Sequence, residues 1–390
     1  MYSIDQEIFY IRSITIRVLA PVKAVIPIQD ATMGPFPAFG IALMTIMDED
    51  GYTGEVPVYS SYDNILEASL VPLLLYNDGM PYHELYKQLY WSIRNEGFRG
   101  PASALLGQID MALHDLAARR KGVPLHRYLG AGRSEMKVYG SGGGTNYSYK
   151  ELEQEVAYFT GMGVDCYKMK VGKGFGTCMQ EDAERVLFVR SLLGNKIRLA
   201  VDANQIWTTD EALRFIELTA TAELAWLEEP IHSAALDQIT QLCKRTDMKI
   251  AYGESERSAK VFPALVNAGV SHLQPVPGHL AGIKEWSAVK ELAGRFSLEF
   301  SSGGYSLFTA SLMAVAGEAC QVEYLHAIMA GLETYFGTRP EWKNGRFYLP
   351  EVPGLAVRVN WQEAEQQDKV IHKKVWDKRN VREYRPVVSL

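Results

Sequence analysis

No apolar run in this sequence approaches the length of a membrane span. Basic clusters are equally absent: 40 Lys and Arg stand against 46 Asp and Glu, a net charge of −6. Neither a membrane nor a nucleic acid is therefore an expected partner. Cysteine is scarce, and Cys166, Cys178, Cys243 and Cys320 form no C-x-x-C pair. That argues against a zinc site or a disulfide framework and for free thiols. The first residues, Met1-Tyr-Ser-Ile-Asp-Gln-Glu, lack the basic start and apolar centre of a signal peptide. A cytoplasmic location is the expectation. There is no low-complexity stretch and no long linker. What remains is an ordinary globular composition, 47% apolar and 22% charged, over 390 residues. That length has room for two domains, one of them a full α/β barrel.

Three acids recur at one interval. Asp202, Glu228 and Glu254 each close a short apolar run, and both gaps are 26 residues. The interval matches one strand, one helix and two short loops, so the acids fall at the same point of successive βα units. Parallel strands carry functional groups at their carboxyl ends. Three carboxylates gathered there make an oxygen-donor site for a hard cation such as Mg²⁺. A lone carboxylate at a strand end often caps the next helix; three at matching spacing would need that coincidence repeated.

Eight strands are predicted from residue 136 onward: Met136–Gly142, Cys166–Val171, Ile197–Asp202, Leu224–Glu228, Lys249–Gly253, His272–Val276, Ser297–Phe300 and Gln321–Leu325. Capping boxes at Ser148/Glu151 and Thr208/Glu211 open helices between them, and Gly194 is placed to end another. Eight such units describe a TIM-type (β/α) barrel. A doubly wound open sheet is the alternative, but no glycine-rich phosphate fingerprint follows the first strand. Residues 1–133 read as an α+β capping domain, with strands at Ile11–Leu19 and Ala38–Met47. A helix is expected over Gly100–Lys121, with Leu106, Ile109, Leu113 and Leu116 on one stripe. The barrel spans 134–343, and the segment 344–390 is expected to pack back toward the cap.

The second barrel strand reads Tyr167-Lys168-Met169-Lys170-Val171. Alternation sends both lysines to one side. Two inward ammonium groups in a packed barrel are costly without a purpose. Each is expected to depress the other's pKa, which would make one a usable general base. The plainer alternative is an exposed edge, or one lysine snorkelling to the barrel mouth.

Together these residues resemble the enolase superfamily, and within it the mandelate racemase/muconate lactonizing branch. The resemblance runs over nearly the whole chain. It rests on Lys168-x-Lys170, Asp202-Ala-Asn204, Glu228-Glu229-Pro230 and Gly253-Glu254-Ser255. It also includes Ile109-Asp-Met-Ala-Leu-His-Asp115-Leu, Gly122-Val-Pro124-Leu and Pro353-Gly354-Leu355, with Ala356 where a glycine is usual. It implies Mg²⁺ on Asp202, Glu228 and Glu254. It further implies abstraction of the proton alpha to a substrate carboxylate, giving an enediolate held by the metal. Lys170 matches the base, and Lys168 would tune it and help hold the carboxylate. Glu323 matches an acidic substrate-contacting position. Relatives of this kind are commonly symmetric, so a homo-oligomer is expected.

The pattern also breaks. Racemase-like members carry a histidine on the seventh strand oriented by an aspartate on the sixth, and lactonizing members a lysine on the sixth. Here the sixth reads His272-Leu-Gln274-Pro-Val-Pro-Gly278 and the seventh Phe300-Ser-Ser-Gly-Gly-Tyr305. Replacement catalytic groups are sought in His279 and Tyr305, with His232 as a further histidine nearby. Asn204 and Tyr52 are candidate substrate contacts, and the loops near 26–36 and 48–62 are expected to cover the site. The favoured expectation is a lyase that dehydrates a small hydroxylated (sugar-type) carboxylic acid. The alternatives are a racemase, epimerase or cycloisomerase, or a metal-binding pseudoenzyme. The retained lysine pair counts against the last.

Overall fold

The computed structural model describes residues 2–383; Met1 and residues 384–390, the end of the tail expected to reach the cap, lie outside it. The chain begins with five strands: β1 (Ile11–Leu19), β2 (Val22–Ile28), β3 (Phe36–Phe39), β4 (Ala42–Asp48) and β5 (Thr53–Pro57). The single strand expected over Ala38–Met47 is two. β3 pairs with β2 as a separate ribbon, while β4 pairs with β1 in the main cap sheet. Gly40 and Ile41 separate them and let the chain change partners.

The helix Pro101–Arg120 falls where expected, but it is not half-exposed. Every residue from Ala102 to Ala118 is buried. The helix lies between the cap sheet and the barrel loop that follows residue 276. Its polar residues are satisfied there: Asp110 accepts from the Ile283 amide (2.7 Å), and Asp115 from the amides of Glu55 (2.8 Å) and Leu355 (2.6 Å). Gly107 permits the close approach, since a Cβ there would meet the Leu280 carbonyl oxygen at 1.8 Å.

Eight parallel strands then close on themselves: β6 (Glu135–Gly142), β7 (Cys166–Lys170), β8 (Arg198–Asp202), β9 (Leu227–Glu228), β10 (Ile250–Tyr252), β11 (His272–Leu273), β12 (Glu299–Ser302) and β13 (Gln321–Leu325). β13 returns to pair with β6, so the sheet is a barrel and not an open doubly wound sheet. Both capping boxes form, and Gly194 ends its helix at φ +60°.

The C-terminal segment divides its allegiance. After β14 (Phe336–Thr338), the strands β15 (Glu341–Lys343) and β16 (Arg346–Tyr348) extend the barrel sheet antiparallel at β6. β17 (Arg358–Val359) pairs with β14, and β18 (Val370–Asp377) adds to β1 at the edge of the cap sheet. Among the described residues, no helix is long and apolar enough to cross a membrane.

Candidate active site at the barrel mouth

The barrel register sets three of the expected groups side by side. Lys170 on β7 is opposite Asp202 on β8, and Asp202 is opposite Glu228 on β9. Glu254 follows β10 by one residue beyond Gly253. One carboxylate oxygen from each of Asp202, Glu228 and Glu254 lies within 4.8 Å of the others. Equal spacing in the sequence has become proximity in space because each βα unit returns the chain to the same rim.

Both lysines point inward, as alternation requires. Lys168 is fully buried, with its Nζ 2.5 Å from Glu228 Oε1, 2.8 Å from Glu323 Oε1 and 3.5 Å from Asp202 Oδ2. Lys170 Nζ lies 2.5 Å from Asp202 Oδ2. Lys168 does push Lys170 down, as expected, but these contacts overturn the expectation that a lysine here ends below its ordinary value. Burial does push both down, but the surrounding carboxylates outweigh it, and both end above their ordinary value. Asp202 moves the other way, down to about 2. Burial opposes that shift, and the two ammonium groups, with the Asn204 amide at 2.9 Å, override it. Glu228 is held well above the usual carboxylate range by burial and by Asp202, Glu323 and Glu254, against Lys168.

Four carboxylates (Asp202, Glu228, Glu254 and Glu323) therefore face two ammonium groups. Counted in their ionised forms they leave a formal surplus of two negative charges, carried on hard oxygen donors. A divalent cation of the magnesium type fits that donor set and that surplus. Asp202, Glu228 and Glu254 are the residues that would hold it.

The supporting contacts show what the sixth and seventh strands carry instead of a second base. Gln274, just past β11, donates from Nε2 to Glu228 Oε2 at 2.6 Å, and Trp226 Nε1 donates to the same oxygen at 3.2 Å. The amide thus orients a carboxylate of the trio. Gly303, just past β12, lies against Glu323: a Cβ there would meet Glu323 Oε2 at 2.2 Å. A histidine at that position would displace Glu323 from Lys168. Glu229 is not one of the trio. It accepts from Gln205 Nε2 (2.9 Å) and Ser255 Oγ (3.0 Å), and burial pushes it up to about 8.

A cavity of about 390 Å³ opens above this floor, lined in part by Lys170, Asn204, Glu254, His279, Tyr305 and Glu323. Burial raises the Tyr305 phenol to about 12. His279 Nδ1 lies 2.6 Å from the Glu254 carbonyl oxygen, which also accepts from Arg257 Nη1 at 3.0 Å. Nδ1 also lies 3.1 Å from Arg257 Nη1, but the shorter contact is to a carbonyl oxygen, which can only accept, so the proton is assigned to Nδ1 and Nε2 is left as the acceptor. Burial and Arg257 push the ring down to about 3, so it is neutral. Asn204 is held at φ +42° behind Asp202, and its Oδ1 is buried without a partner.

Tyr52 does not belong with these residues. It is 45% exposed in the turn between β4 and β5, and the cavity meets the opposite end of that hairpin at Pro57, Val58 and Tyr59. Tyr59 replaces it and packs 5.9 Å from the His279 ring. The 26–36 loop contributes Asp30 and Met33 to the cavity wall. His232 caps its own turn, its Nδ1 accepting from the Ala234 amide, away from the cavity. Gln274 and Trp226 were not among the expected site residues. The only signal for Gln274 was a polar side chain on the inward register of a barrel strand.

Comparison with known proteins agrees with this geometry. Residues 13–130 match the model of the mandelate racemase/muconate lactonizing enzyme N-terminal domain, and residues 151–364 that of the enolase C-terminal domain-like family. The chain is 28% identical to the arabinonate dehydratase of Saccharolobus solfataricus, over 82% of this chain and 88% of that one. It is 27% identical to the 3,6-anhydro-alpha-L-galactonate cycloisomerase of Streptomyces coelicolor, over 86% of this chain and 93% of that one. Among solved structures it resembles a racemase from Streptomyces coelicolor A3(2) with bound magnesium. The TM-score is 0.83 at 25% identity, covering 91% of this chain and 99% of that one.

Proposed function

This chain belongs to the mandelate racemase/muconate lactonizing enzyme family of the enolase superfamily, and on that footing we propose that it is a Mg²⁺-dependent lyase that dehydrates a hydroxylated, sugar-type carboxylic acid. The observation that carries the reading is one inward lysine on the cavity beside the carboxylate trio, with no second lysine among the described residues that line the cavity. Lys170 lines the cavity, while on the sixth and seventh strands Gln274 is spent on Glu228 and Gly303 is closed over by Glu323. When bound, the metal supplies positive charge that makes the proton alpha to a carboxylate acidic.

The residues of the chain do the rest. Lys170 Nζ takes the α-proton. Asp202 keeps Lys170 positioned, and once the trio shares its charge with a dication, less of it is left to hold Lys170 protonated. Lys168 is spent on Glu228 and Glu323 and lies outside the cavity lining, so its part is to hold those two carboxylates in place and not to seat the substrate carboxylate. Asn204 offers an unpartnered acceptor to a substrate hydroxyl. As the C–O bond at the β-carbon breaks, Tyr305 gives its phenolic proton to the departing hydroxide, which leaves as water. A phenol near 12 is acid enough for that transfer, because water is far weaker. His279 is an acceptor at Nε2 and orients a hydroxyl. The enol product becomes a 2-keto acid. A cycloisomerase of the same family shares the first step and differs by losing no water.

The test is a screen of acid sugars with Mg²⁺ in deuterated solvent. Wild type should release a 2-keto acid, and Lys170→Ala should lose α-proton abstraction by roughly 10²–10⁴-fold. Undiminished turnover in Lys170→Ala would remove Lys170 from the mechanism.

A further inference from the structure

The floor and the roof of the cavity differ in kind. At the floor, Asn204 Oδ1, His279 Nε2 and the Tyr305 hydroxyl remain available to hydroxyls. Two polar side chains on the wall are already used: Gln108 accepts from the Tyr59 amide and donates to the Gly278 carbonyl, and Thr309 donates to the Gly303 carbonyl; the Tyr59 hydroxyl joins the groups that can meet a substrate hydroxyl. The roof is formed by the cap and by the helix His326–Leu332, which packs against β2 and β3. It presents Met33, Phe39, Leu325 and Ile328. The one charged roof residue is Asp30, a carboxylate. Its Oδ1 is spent on the amides of Thr32 (2.7 Å) and Met33 (2.6 Å).

Among the described residues that line the cavity, Lys170 alone carries a positive charge, and it is committed to Asp202. With a dication, the floor is balanced: four carboxylates against two ammonium groups and two metal charges. One substrate carboxylate can be received there. A second, at the far end of the substrate, would enter an apolar roof beside Asp30 with no cation to meet it.

We infer that the substrate is a monocarboxylic acid, hydroxylated next to its carboxylate and apolar at its far end. This rests on the proposed α-proton chemistry for the orientation of the acid, and it adds the selection against diacids. Specificity of this kind comes as much from the repulsive carboxylate and the missing cation as from any attractive contact.

A graded series tests it: six-carbon acids of one configuration that end in CH₃, CH₂OH or COO⁻, repeated across configurations. Binding is measured by calorimetry on Mg²⁺-loaded Lys170→Ala, where turnover does not intrude, and α-proton exchange on wild type. The expected order is CH₃, then CH₂OH, with the diacid roughly 100-fold weaker. Ile328→Lys, and separately Asp30→Asn, which preserves the turn acceptor, should each narrow that gap. A diacid bound as well as its monoacid partners, or no binding by any member, overturns the inference. The expected binding order without α-exchange by wild type would leave the inference standing and sink the proton-abstraction reading instead.

Discussion

Replacing Lys168 by Met probes the charge balance of the site directly. Lys168 is fully buried and contacts three carboxylates, so its removal takes the cluster from a surplus of two negative charges to three. Methionine keeps the volume and the apolar stem, so little packing is lost. Breaking a buried ion pair by deleting one partner costs about 3–5 kcal/mol. The magnesium-free variant at neutral pH should therefore unfold at a clearly lower urea midpoint than wild type. Trp226, whose indole donates to Glu228, reports the change by fluorescence. The deficit should shrink in acid, where Glu323, held low in wild type by Lys168, takes up a proton, and it should shrink again when Mg²⁺ is added. A loss below about 1 kcal/mol, or one that Mg²⁺ leaves unchanged, would refute the picture of a site organised around surplus negative charge.

Gln274→Leu removes a donor from Glu228 and should weaken Mg²⁺ binding roughly 10- to 100-fold by calorimetry; unchanged affinity would show that the amide does not orient the ligand. Tyr305→Phe should leave α-proton exchange with deuterium intact while slowing release of the 2-keto acid; equal loss of both would place Tyr305 in binding and not in proton donation. Glu155 gives a pH test away from the metal. It is buried against the Gly143 amide and the Tyr167 hydroxyl, and burial raises it to about 7. The folded state then holds this proton more tightly than the unfolded state, so its contribution to stability falls as pH rises from the ordinary glutamate range to about 7 and is flat beyond. Glu155→Gln should remove that slope from unfolding midpoints taken between pH 5 and 8; an unchanged slope would assign it to other groups.

Much of the site was legible because it is written in the period of the fold. Equal spacing placed Asp202, Glu228 and Glu254 on one rim, and alternation put Lys168 and Lys170 on one side of a strand. The capping boxes at Ser148 and Thr208 were readable because they are local. What depends on contacts between distant segments was not. The direction of the lysine pKa shifts turns on carboxylates brought in from other strands, Glu228 and Glu323 at Lys168 and Asp202 at Lys170. The tautomer of His279 is set by a backbone carbonyl on another loop. Tyr52 and Tyr59 look alike in sequence, and only the direction of the β4–β5 hairpin decides which meets the cavity. The helix Pro101–Arg120 showed one apolar stripe, yet its other faces are buried through polar residues whose partners lie in β5 and the 276–283 loop.

The proposed chemistry depends on the cation. Titrating Mn²⁺, a spectroscopically visible substitute for Mg²⁺, into the metal-free protein and following it by electron paramagnetic resonance counts the sites. One ion bound per chain, displaced by Mg²⁺ and lost in Glu254→Gln, is the predicted result. No bound ion in wild type, or one retained undiminished when Asp202, Glu228 and Glu254 are all replaced by their amides, would contradict it.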